Sequence, residues 1–189
     1  ATTLILYSVA TRRGQTSVAT MLLAGIALGA LAGAISGILV YKANDQQLRD
    51  LTFWGLGSLA GASWEKVTVA GPLIGVAILF AVRLGHGLNA LALGEATAAH
   101  IGVATQNLKN KAIFTVAAAT GIAVAVSGGI GFIGIVVPHL VRQLIGPDHR
   151  TLIINSGLLG AIILVLADVI SRIIVAPAEL PIGIITAVI

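Results

Sequence analysis

Asp168 and Arg172 stand four residues apart with the acid first, the order that favours an ion pair along one helix face. Within a hydrophobic stretch, such a self-neutralised pair lowers the cost of placing charge near lipid. The other side chains able to do chemistry are few. His86, His100, His139 and His149 are the possible metal or haem ligands, yet no two lie at a metal-binding interval such as i, i+4, so no metal site is expected. Cysteine is absent, which excludes a disulfide framework and a thiolate metal site in this segment. No Gly-rich phosphate loop followed by Lys-Ser/Thr occurs, so nucleotide binding is not expected of this chain. No Ser/His/Asp arrangement stands out, and the run from 112 to 138 holds no carboxylate. The expected chemistry is recognition, with no catalytic residue.

The most distinctive polar segment is Leu93-Gly94-Glu95-Ala96-Thr97-Ala98-Ala99-His100-Ile101-Gly102. Glu95 falls in the first turn of a short helix, where a negative charge meets the positive end of the helix dipole. Ala96, Ala98 and Ala99 are small, strong helix formers, and Gly102 suits a left-handed stop. A rigid knob of this kind can seat in a groove of another protein at little ordering cost. An ordinary surface helix in a loop is the competing reading.

The elements that must carry these residues are membrane helices. Hydrophobic residues make up 57% of the 189 and charged residues only 10%, with a mean hydropathy of +1.03. A soluble domain carries roughly 25% charged residues. Uncharged runs cover 14–41, 67–82, 112–138 and 151–167. About 20 apolar residues cross the hydrocarbon as a helix, and these runs lack the period-two alternation of a membrane barrel. The net charge of +4 is no nucleic-acid signal, because the basic residues flank apolar runs.

Along the chain, 1–10 reads as the tail of a span ending at Arg12-Arg13, and 18–41 reads as the next span. A polar segment, 42–66, follows and holds Trp54 and Trp64, which suit an interfacial belt. The next span is 67–82, ending at Arg83, before a polar segment at 85–111. The run from 112 to 138 contains Ser127-Gly128-Gly129-Ile130-Gly131, a strong breaker, and is expected to split into two short helices near Gly129. The last spans are 151–175 and Pro181 onward. Arg12, Arg13, Arg83, Lys109, Lys111, Arg142 and Arg150 then share one side, against Lys42, Arg49, Lys66 and Arg172 on the other. The positive-inside rule makes the first side, and the Glu95 knob, cytoplasmic. Apolar runs at both ends read as a fragment of a longer chain. Gly25, Gly29, Gly33 and Gly37 recur every four residues and share a face of the first full helix. That face suits either close helix packing or a smooth wall along a path for a bulky solute.

Several segments, in order, resemble the FecCD-type permeases of ABC importers for iron-siderophore complexes, haem and cobalamin. They are Met21 to Gly29 (MLLAGIALG), Phe53 to Gly61 (FWGLGSLAG), the Leu91 to Gly102 segment, Gly131 to His139 (GFIGIVVPH), Asp148-His149-Arg150, Leu166-Ala167-Asp168 and Ala178 to Gly183 (AELPIG). The resemblance covers nearly the whole chain, from the end of the fourth to the start of the tenth of the family's spanning helices. It implies an all-α fold, a polytopic transmembrane bundle with short cytoplasmic coupling helices, over 1–189 as one partial permease domain. Leu93, Gly94, Glu95, Ala96, Ala99 and Gly102 would couple the bundle to an ATPase. Arg172, with Glu179 beside it on the outer rim, would dock a periplasmic binding protein. The glycine helix would line the pathway, and Val18, Ala19 and Thr20 would lie at its gate.

The partners so implied are a second permease copy, an ABC ATPase dimer carrying ATP and magnesium, a periplasmic substrate-binding protein and lipid of a bacterial inner membrane. No nucleic acid and no cofactor of the chain's own are implied. Iron chelates are the expected cargo. Haem is favoured over ferric siderophore by the look of Asp45 to Trp54. The alternatives are a cobalamin permease, an ion-coupled secondary transporter and a non-transporting membrane scaffold. An ion-coupled transporter usually places ionisable groups or broken helices near the midplane. The Gly128-Gly129 break has no acid beside it.

Overall fold

A computed structural model describes residues 11–12, 15–16, 18–174 and 180–188. Among these residues, eight helices follow a two-residue antiparallel ladder in which β1 (Thr11–Arg12) pairs with β2 (Gln15–Thr16). The helices are α1 (Val18–Lys42), α2 (Asp45–Leu56), α3 (Trp64–Ala92), α4 (Glu95–His100), α5 (Thr105–Ser127), α6 (Ile133–Ile145), α7 (His149–Ile174) and α8 (Ile182–Val188). Among the described residues, α1, α3, α5 and α7 are long and apolar enough to cross a membrane. The chain is an all-α, multi-pass membrane bundle.

Two boundaries differ from the sequence reading. Arg83 does not end its helix, because α3 runs on to Ala92 for 29 residues. At 1.5 Å per residue that is about 43 Å, longer than the roughly 30 Å hydrocarbon core. The overhang at the α4 end carries the polar segment that looked like a loop. The run from 112 to 138 does break, at 128–132, so a single long helix is excluded. Its first half is no short helix, since α5 begins at Thr105 and is long and apolar enough to cross by itself. The 13-residue α6, about 20 Å long, is too short to cross alone.

One element was not anticipated. Inside the polar segment 42–66, α2 is opened by a capping box in which Asn44 Oδ1 accepts from Gln47 N at 2.9 Å and Gln47 Oε1 accepts from Asn44 N at 3.1 Å. The Asn-x-x-Gln spacing was a readable start signal.

The bundle is organised on α3, which packs along α5 and against α7. The faces of α6 and α7 meet through Val137, Val141 and Leu152, with Ile133, Leu159 and Ile163 around them. A second cluster of Ala167, Ile182 and Ile185 joins α7 to α8, covered by Leu59, Leu164 and Leu180. In lipid such contacts hold by close packing, since the tails outside are equally apolar. By contrast, α1 has no extended packing against any other described element. A Cβ added at Gly29, Gly33 or Gly37 would meet nothing within 4 Å. The glycine face is thus open in this chain, and no close helix packing uses it among the described residues.

Candidate functional site

The site lies where α3 leaves the bundle, turns, and passes into α5. The turn is tight: Leu93 N donates to Ala90 O at 3.1 Å and Gly94 N to Leu91 O at 3.0 Å. Gly94 adopts φ 105° and Gly102 φ 85°, so both ends of the six-residue α4 use backbone that side chains rarely adopt. Ala98 N donates to Gly94 O and Val103 N to Ala98 O, closing the knob on itself. Ala98 is fully buried beneath the knob, while Leu93, Gly94, Glu95, Ala96, Ala99 and Gly102 are all exposed. Leu93 at 69% and Ile101 at 61% exposure leave two large apolar side chains standing on its flanks. A knob buried in its own bundle would have ended the coupling reading, and this one projects.

Glu95 does more than meet a helix dipole. Its carboxylate pairs with the ammonium of Lys109 in the first turns of α5, with Lys109 largely covered and Glu95 exposed. The pair ties the start of α4 to the start of the next spanning helix.

One turn before the end of α3, the half-buried Asn89 reaches across to the start of α7. Its Oδ1 accepts from His149 N at 2.8 Å and lies 2.8 Å from His149 Nδ1, and its Nδ2 donates to Asp148 Oδ1 at 2.7 Å. Asp148 Oδ1 also accepts from Arg150 N at 3.0 Å. The first backbone donors of a helix have no partner within it. Here Asp148 caps one from its own chain segment and Asn89 caps another from a neighbouring helix. Asp148 thus carries the cap, one residue before His149 opens α7. The Asn89 amide, then the Arg150 N–H and the Arg150 charge, hold the Asp148 carboxyl below the usual carboxylate range. Gly85, one turn earlier on the same α3 face, lets the Arg150 backbone come close: an added Cβ would sit 3.2 Å from Arg150 Cα. On another face, an added Cβ at Gly87 would sit 2.8 Å from the buried Leu108 of α5. No motif in the sequence marked Asn89, Gly85 or Gly87, because their partners lie far along the chain.

The opposite end of the bundle is joined by backbone. Ser58 N donates to Ser127 O at 2.9 Å and Ile182 N to Gly57 O at 3.1 Å, while Gly129 N approaches Trp54 O at 3.4 Å. Cβ atoms at Gly128 and Gly183 would strike the carbonyls of Trp54 and Leu56. Here too lies the predicted ion pair: Arg172 Nε donates to Asp168 Oδ2 at 2.9 Å and Nη2 to Oδ1 at 3.3 Å, with Arg172 about half exposed. Glu179 lies outside the described residues. Val18, Ala19 and Thr20 form the first turn of α1, directly after the β1–β2 ladder. Gly25 lies on the same helix, four residues before Gly29. Among the described residues, no three His, Asp or Glu side chains come together as a metal site.

A membrane bundle with a rigid knob between two crossing helices defines the class. The chain belongs to the FecCD transport family, whose model matches residues 1–189. It is 46% identical over 176 residues to the hemin transport system permease protein HmuU of Yersinia pestis, covering 93% of this chain and 53% of that protein. It is 40% identical over 185 residues to the vitamin B12 import system permease protein BtuC of Salmonella newport, covering 98% and 56%. A solved metal-chelate type ABC transporter in an inward-facing conformation superposes with a TM-score of 0.86 at 33% identity, over 92% of this chain and 56% of that one. The chain spans about half the length of the curated relatives it matches.

Proposed function

We propose that this chain is part of the permease subunit of an ATP-driven importer. The observation that carries the reading is the projecting α4 knob, held between the crossing helices α3 and α5 and pinned by Glu95–Lys109. A partner ATPase grips the knob, and its closure on ATP tilts the attached helices. This is coupling in the thermodynamic sense: one ligand biases two states of the bundle. ATP and magnesium belong to that partner, and the permease does no covalent chemistry. A second permease copy completes the pathway, with the open α1 glycine face and the Val18–Thr20 turn as wall and gate. A binding protein docks at the half-exposed Arg172, where charge sets register more than affinity. The setting is a bacterial inner membrane.

The cargo is an iron chelate, haem ahead of ferric siderophore. The 46% identity to the hemin permease, against 40% to the vitamin B12 permease, supports haem ahead of cobalamin. Iron-source growth rescue by the full-length gene tests it. Growth on haem and not on ferric siderophore is expected, and rescue of cobalamin uptake alone overturns the cargo. For coupling, Glu95→Arg places a cation against Lys109 and abolishes stimulation of the partner ATPase. Stimulation left intact ends the coupling assignment.

A further inference from the structure

We infer that Asn89 is a positioning residue that makes α7 move with the knob-bearing end of α3, linking the inner end of the bundle to its outer rim. The inference rests on the coupling reading of α4. Three observations carry it. Asn89 lies only one turn from the α3–α4 turn, whose backbone bonds leave little play, so displacement of the knob displaces Asn89. Asn89 grips α7 at the end of that helix, through the backbone N–H of His149 and the side chain of Asp148, beside the close approach of Gly85 to Arg150. Finally, α7 is one uninterrupted helix from this grip to the Asp168–Arg172 pair, about 33 Å between Arg150 and Arg172.

The chemistry suits a mechanical link. Asn89 uses both ends of its amide, accepting on Oδ1 and donating from Nδ2, so its orientation is defined by partners on both sides. The polar partners sit at a helix start, where an unmade bond leaves an orphan donor. Pulling α3 away from α7 therefore breaks two bonds at once, whereas moving both together breaks none. Aliphatic packing alone would let the helices slide.

The test uses the full-length permease assembled with its ATPase in liposomes, with any cysteine outside this cysteine-free segment replaced. Leu93→Cys reports the knob and Ile173→Cys, at a 70% exposed position, reports the outer end of α7. A membrane-impermeant maleimide is the probe, applied from the side each residue faces. Adding the ATPase should slow labelling at Leu93→Cys at least fivefold, with or without Asn89→Leu. Trapping with ATP and vanadate should change labelling at Ile173→Cys at least fivefold with Asn89 and less than twofold with Asn89→Leu. An equal response at Ile173→Cys in both backgrounds, or none in either, overturns the role of Asn89 and leaves coupling standing. Loss of knob protection overturns coupling itself. Should Asn89→Leu fail to insert, Asn89→Asp decides. It keeps the acceptor for His149 N–H but faces Asp148 with like charge, so less than half the normal response is expected and an undiminished response refutes the link.

Discussion

The two ends of the bundle are joined by different means. At the knob end, side chains make the joints: Asn89 to Asp148 and His149, and Glu95 to Lys109. At the opposite end, main chain meets main chain, and Gly57, Gly128 and Gly183 leave no room for a Cβ. Side-chain joints tie two helices at single points, so the joined ends move together and can pivot about the contact. A main-chain knot with no space for side chains holds one spacing. The helices are therefore pinned at points where the knob projects and locked in spacing at the far rim.

The sharpest way to break that contrast is at the knot. Gly183→Ala drives a methyl into the Leu56 carbonyl, and Gly128→Ala adds a strained φ of 71° to a clash with Trp54 O. Each should cost about 3 kcal/mol, from overpacking together with backbone strain at Gly128. A fall of several degrees in the thermal midpoint of the detergent-solubilised full-length protein is the readout, and an unchanged midpoint removes the rigid rim. At the knob, the expected loss is of coupling and not of fold. Reversing both charges, Glu95→Lys with Lys109→Glu, should return part of the ATPase stimulation lost with Glu95→Lys alone. Stability should change by less than about 1 kcal/mol, because the Glu95 end of the pair stays in contact with water.

A smaller effect concerns acid. The Asp148 carboxyl titrates below its ordinary value of 3.8 in the folded chain. The stability it contributes is therefore complete above that value and is lost as pH falls through the lowered folded one. Asp148→Asn should flatten the decline in stability below about pH 4, measured as chemical unfolding at stepped pH. An unaltered slope would show that the Asn89 contact adds nothing.

The smallest effect lies between the two ends. Phe132 is the one non-glycine with positive φ among the described residues, at 63°, in a three-residue turn where Ile133 N donates to Gly131 O at 2.7 Å. Relief of strain of order 1 kcal/mol, offset by the freer unfolded chain of glycine, should leave Phe132→Gly within about 1 kcal/mol of the parent protein in the same unfolding assay. A large loss would assign the exposed ring a packing role.

Much of this architecture was legible in particular residues. Among the described residues, uncharged runs located the four helices long and apolar enough to cross, because lipid leaves helix as the remaining way to satisfy the backbone when period-two alternation is absent. Gly102 and Ala96 to Ala99 marked a short stopped helix, and Asp168 and Arg172 declared their pairing by spacing alone. The true reach of α3 was hidden because Arg83 and His86 read as a polar boundary. Polar residues on the overhang of a long helix look locally the same as a loop.

Local physics thus determined which stretches are helices, where the knob begins and ends, and which ion pair forms, since each depends on neighbours within about four residues. Only the tertiary structure decided that Asn89 caps α7, that Lys109 answers Glu95, and that Gly57, Gly128 and Gly183 meet at one rim. Those contacts join residues from 14 to 126 positions apart in the chain. No periodicity encodes such pairs; they exist only once the helices have packed.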